Sequence, residues 1–153
     1  MAVYSDIFIA TDADLLAAPL DQHEPTDYFP TVEGKSITPL SLATLEAILT
    51  GERDPYAGLD ERMDTWDQNE VWTRLDGNIS VERFSDTLVS ALATLTPETM
   101  EQAARAWEDT DEVRASRDRA EHVAWLASYL ERLSHLAIRA RVEGRGMYLW
   151  AAV

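Results

Sequence analysis

SRDRAEHVAWLASYLERLSHLAIRARVEGRGMYLWAAV, residues 116–153, is the stretch on which the fold turns. Val123, Leu126, Ala127, Leu130, Leu133, Ala137 and Ala140 recur at helical spacing, so the pattern predicts one long helix from roughly Ser116 to Glu143. Arg132, Arg139 and Arg145 fall toward its C-terminal end, where the helix dipole favours cations. Gly144-Arg145-Gly146 stops the helix. Met147 to Val153 then reads as a short, apolar terminal strand. A long amphipathic helix feeding an apolar strand predicts a sheet with that helix packed across one face.

Working back toward the N-terminus, Val3 to Ala10 is the matching first strand, with Ile7, Phe8 and Ile9 at its centre. Both terminal strands are apolar on nearly every residue, which assigns them central places in the sheet. Thr11-Asp12-Ala13-Asp14 caps a short helix that Pro19 ends. Leu20 to Ser36 reads as loop. Thr38-Pro39 opens a helix striped by Leu42, Leu45, Ile48 and Leu49, and Gly51 closes it. Glu52 to Glu70 is acidic and turn-rich, with a short helix around Leu59 to Trp66. Val71 to Leu75 and Ile79 to Phe84 flank Asp76-Gly77-Asn78, a hairpin signal. Ser85 caps the next helix, Thr96-Pro97-Glu98 starts another, and Asp109-Thr110-Asp111 breaks it. The expectation is a single α+β domain over residues 1–153, with a small mixed or antiparallel sheet and the long C-terminal helix on one face.

The order of pieces resembles the small bacterial YfbM-like domains of unknown function. The residues behind the resemblance are the Thr/Asp-capped helix after the first strand, the helix ending Leu49-Thr50-Gly51, the paired-helix segment from Leu92 to Met100, and the closing helix, glycine and strand. Residues 52–82 depart from that layout. The resemblance implies a fold and a bacterial source, and no catalytic residue.

Charge carries the functional reading. The net charge is −15 over 153 residues. Residues 1–112 hold 24 acids against 6 bases, whereas residues 113–153 hold 7 bases against 4 acids. Such a field disfavours nucleic acid and anionic membrane and attracts basic partners. There is no cysteine, which excludes disulfides, thiol nucleophiles and zinc–thiolate sites. The start of the chain has no signal-peptide pattern and no apolar run approaches membrane-spanning length, so a cytoplasmic location is expected. Gly-x-Ser-x-Gly, Walker and Gly-x-Gly-x-x-Gly motifs are all missing, and no cofactor is expected.

Two candidate sites follow. The first is an interaction surface of Tyr56, Asp60, Glu61, Asp64, Trp66, Asp67 and Glu70, with Trp66 and Tyr56 as aromatic anchors among carboxylates. It suits a basic protein partner, as in an immunity or antitoxin-like inhibitor of a cationic nuclease, whose carboxylates stand where phosphates would lie. The alternative is a ligand-binding or enzymatic pocket near Tyr28 and Trp66 that uses His23, Asp27, Tyr28 and Phe29. Glu131 and His135, one helical turn apart, make at most half a metal site and more readily a surface pair, so no metal centre is expected. Trp107, Trp125 and Trp150 fit apolar faces and read as core. Sheet edges that need cover leave room for a homo-oligomer.

Overall fold

Strand β1 (Tyr4–Ala10) and strand β5 (Gly146–Ala152) run antiparallel at full length, from Tyr4 opposite Ala152 to Ala10 opposite Gly146. The computed structural model describes residues 4–74, 77–114 and 118–153. Three more strands complete an antiparallel sheet: β2 (Thr31–Val32), β3 (Glu70–Arg74) and β4 (Ile79–Arg83), in the order β2-β1-β5-β4-β3. The fold is therefore α+β, as expected, and the sheet is antiparallel. Val3, Leu75, Asp76, Ser116 and Arg117, which entered the expected strands, turn and helix, lie outside the described residues.

Strands β1 and β5 are buried on both faces over most of their length, which explains their largely apolar sequence. Ile7, Ile9, Met147 and Leu149 face the helices, while Phe8, Ala10, Tyr148 and Trp150 face the other way. That second face is covered by the segment after β1. Helix α1 (Asp12–Ala17) is capped by Thr11 and brings down Leu15, and Leu20 and Phe29 follow. Phe8 lies stacked between Phe29 and Tyr148, at centroid separations of 5.2 and 5.5 Å. The expected loop between Leu20 and Ser36 thus contains β2, whose two residues pair with Ile7 and Phe8. A two-residue strand has no periodicity of its own, and only its partner strand creates it.

The helical layer comprises α2 (Pro39–Leu49), α3 (Leu59–Gln68), α4 (Asp86–Ala93), α5 (Pro97–Glu108) and α6 (Arg119–Glu143). Helices α2 and α5 start with Thr-Pro, and in each the Thr side chain and the residue three positions on cap one another. Helix α6 buries Val123, Leu126, Tyr129, Leu130, Leu133, Leu136, Ala137 and Ala140, so Tyr129 and Leu136 join the predicted stripe while Ala127 is only half-buried. Gly144, at φ +68°, ends it in the left-handed conformation that favours glycine and delivers the chain into β5. Among the described residues no helix is long and apolar enough to cross a membrane.

Candidate functional site

Helix α3 carries the predicted acidic surface. Its N-cap is Gly58 at φ +66°, a conformation that favours glycine, and a Cβ there would stand 3.1 Å from the Arg62 guanidinium and press on it. Arg62 is the only base in the helix, and it turns inward. Its Nε donates to Glu46 of α2 at 3.0 Å, its guanidinium also bonds the Ala57 carbonyl, and its side chain is only 19% exposed. Glu46 also accepts a 2.5 Å bond from Ser85, the cap of α4. One carboxylate therefore ties α2, α3 and α4 together.

The charged groups left on the outward side of α3 are all acidic. Asp60, Asp64 and Asp67 follow one another at helical spacing with Glu61 beside them, and Glu70 continues the patch onto β3. All five are exposed, and none forms an ion pair among the described residues. Glu82 lies opposite Glu70 across the β3–β4 ladder, and its pKa is raised, first by burial and then by the Glu70 and Asp67 charges.

Of the two expected anchors, Tyr56 is exposed as expected and Trp66 is not. Trp66 lies on α3 and is 5% exposed. It packs edge-on against Phe84 at 5.4 Å in the core under the helices. With the half-buried Leu59 and Met63, the inward-facing tryptophan holds a helix of low apolar content to the body. Tyr56 stays partly exposed, and its hydroxyl is engaged: it donates to Glu112 at 3.0 Å and accepts from the Asp111 N–H at 3.2 Å.

The alternative pocket is not assembled as drawn. Trp66 belongs to the core on the helical face of the sheet and Phe29 packs on the opposite face, so the sheet separates them. His23 and Asp27 are 4.0 Å apart and both more than half exposed, with Tyr28 edge-on to His23. Glu131 and His135 are exposed on α6, and no metal-binding group of three or more His, Asp or Glu residues occurs among the described residues.

A second site lies where β1 runs past the end of β2. Tyr4, Asp6, Glu24, Glu33, Gly34, Lys35 and Trp125 line a cavity of about 380 Å³. Trp125 is 43% exposed rather than core. It is the middle of a stack in which His122 lies 6.0 Å to one side and Tyr129 5.2 Å to the other, with Trp107 of α5 beyond Tyr129. His122 contacts the buried carboxylate of Glu108. Behind the cavity, the Tyr129 hydroxyl is buried with no hydrogen-bond partner among the described residues, and burial pushes its pKa up. Replacing Tyr129 with Phe will leave stability unchanged or raise it by about 1 kcal/mol, since an unsatisfied buried hydroxyl costs about that much or more. A loss above about 1 kcal/mol in urea unfolding would mean that the hydroxyl is bonded after all.

No family model, curated protein or solved structure matches this chain. The site therefore has to be read from its own chemistry.

Asp6 is the clearest signal. It is 6% exposed, and burial pushes its carboxyl up to about 6, aided by the charges of Glu33 and Glu24 and opposed by a backbone hydrogen bond from Gly34. Because this pKa lies above its unfolded value near 3.9, the folded protein binds the proton more tightly. The protonated group is tolerated below about pH 4, and stability is lost as pH rises through about 6, by about 2–3 kcal/mol in all. Asp6→Asn should therefore gain on the parent protein between pH 4 and 7, as read from urea midpoints; parallel pH profiles would show that Asp6 is not the titrating group. In the sequence, a lone carboxylate inside a strand apolar at most positions already marked this place.

Proposed function

We propose that this protein is an interaction module that engages a basic protein partner through the outward face of α3 and the adjoining Glu70. The observation that carries the reading is the inward turn of Arg62 onto Glu46, which leaves Asp60, Glu61, Asp64, Asp67 and Glu70 without a neutralising cation. Carboxylates in that state repel one another, and a cationic surface relieves the repulsion while steering association. An inhibitor that covers the phosphate-binding surface of a cationic nuclease is the form we favour, because one acidic helix can stand in for a phosphate backbone. A bacterial, cytoplasmic setting belongs to the same proposal, with the YfbM-like layout as its support for a bacterial source.

The test is capture by the immobilised protein, compared with a variant carrying Asp60→Asn, Glu61→Gln, Asp64→Asn and Asp67→Asn. A stoichiometric basic partner held by the parent, released by salt and not held by the variant is the expected result. Equal retention by both proteins would remove the basis of the reading.

A further inference from the structure

We propose that the cavity beside β1 is a binding site for an alkylammonium group, held between Tyr4 and Trp125 and facing the Asp6 carboxyl. The inference is independent of the α3 face and rests on different residues.

Two observations point to a cation of this kind, and a third keeps the site open. The first is the wall chemistry. Tyr4 and Trp125 are large aromatics left 52% and 43% exposed, and the remaining lining side chains are three carboxylates, Asp6, Glu24 and Glu33, and one lysine. Aromatic faces with carboxylates between them attract an organic cation by both the ring quadrupole and the charge. The second is the resident group. Lys35, the only lysine in the chain, sets its ammonium 5.6 Å from the Tyr4 ring centroid, and it forms no ion pair among the described residues. The protein thus already displays an alkylammonium on one wall of the cavity. The third lies beneath it. Gly34 lines the cavity, and a Cβ there would stand 3.2 Å from the buried Tyr129 hydroxyl. A side chain at position 34 would also meet the Ser5 carbonyl at 2.9 Å, so glycine keeps this corner open.

A volume of about 380 Å³ suits a short aliphatic amine or the end of a lysine side chain, and it falls in the range of small-ligand sites. Ammonium and guanidinium differ in shape. The precedent set by Lys35 on Tyr4 selects the compact ammonium over the planar fork.

Titration calorimetry and the Trp125 indole NMR signal test the proposal with three probes. They are n-butylammonium, its neutral analogue n-butanol, and Nα-acetyl-lysine amide. The expected result is saturable n-butylammonium binding that shifts the Trp125 signal, with no such shift from n-butanol. Asp6→Asn and Trp125→Ala should each weaken binding about tenfold, and Lys35→Gln should tighten it severalfold by removing the competing internal cation. Affinity should rise as pH passes about 6 and Asp6 ionises among Glu24, Glu33, Lys35 and Tyr129. Nα-acetyl-lysine amide binding at least as tightly as n-butylammonium supports the site and assigns it to a protein side chain. Markedly weaker binding supports it and assigns it to a free amine. Absence of saturation by either amine, equal response to n-butanol, undiminished binding by Trp125→Ala or weaker binding by Lys35→Gln would each overturn the proposal. If Asp6→Asn fails to fold, the exposed positions Trp125 and Lys35 still decide it.

Discussion

Truncating Trp107 to Ala will cost about 3–5 kcal/mol of folding stability. Trp107 is fully buried on α5, stacks on Tyr129 of α6 at 6.5 Å, and donates its indole N–H to the Ser41 carbonyl of α2 at 3.0 Å. One side chain therefore joins three helices. The hydrogen bond is the smaller part of the loss, because the Ser41 carbonyl also accepts from the Thr44 hydroxyl at 2.8 Å and is not orphaned. The larger part is the cavity left among helices fixed by the sheet beneath them, which cannot close up to fill it. Against a total of roughly 5–15 kcal/mol for an ordinary domain, such a loss takes a large share of the stability. Trp125→Ala is the matched control. It removes the same side chain from a 43% exposed place and should cost no more than about 1 kcal/mol. Urea unfolding of the two variants, followed by circular dichroism, checks this directly. Equal losses would mean that the two tryptophans share one burial, against the geometry described.

Neutralising Asp60, Glu61, Asp64 and Asp67 together will slow association with the captured basic partner by about ten- to a hundredfold at low salt and flatten its salt dependence. The four carboxylates are exposed, so the change removes field rather than packing. Screening acts over about 8–10 Å at physiological ionic strength, and the effect on the parent should fade as salt is raised. Folding should suffer little. Asp60 and Glu61 sit in the first turn of α3, where their charge supports the helix by about 0.3–1 kcal/mol. Stopped-flow association rates across a salt series give the measurement. Rates that differ by less than twofold between parent and variant would show that the acidic face does not steer the encounter.

The α3 surface was legible from the sequence in composition but not in arrangement. Asp60, Asp64 and Asp67 declare a shared face at helical spacing, and they keep it. What spacing alone left open was which way the single arginine of the helix would point. Arg62 could have neutralised its own neighbours, and only Glu46, sixteen residues earlier, draws it inward. Trp66 was misjudged for a related reason. In a segment so polar, an aromatic reads as a surface anchor, whereas here it is the fully inward member of an apolar set with Leu59 and Met63 that fastens the helix to the core at Phe84.

The cavity beside β1 was largely hidden. Tyr4, Asp6, Glu33, Lys35 and Trp125 are scattered over more than a hundred residues, and the register of β1 with the chain after β2 brings most of them together. Trp125 falls within the apolar part of α6 and reads as core, yet it lies at the edge of the buried stripe, stacked on Tyr129 with its other side open to solvent.

By itself, the sequence determined the elements that depend on local rules. Thr-Pro and Ser caps, glycine stops, the 3.6-residue stripe of α6 and the doubly apolar terminal strands fixed an α+β fold with those strands at its centre. Each of these signals is carried by residues a few positions apart, where backbone geometry and burial act together. Only the tertiary structure decided the facing of Arg62, Trp66 and Trp125, the two-residue strand β2, and the meeting of Asp6 with Tyr4 and Trp125. Those outcomes depend on partners distant in sequence, and a side chain's environment there is set by packing between elements rather than by its own neighbours.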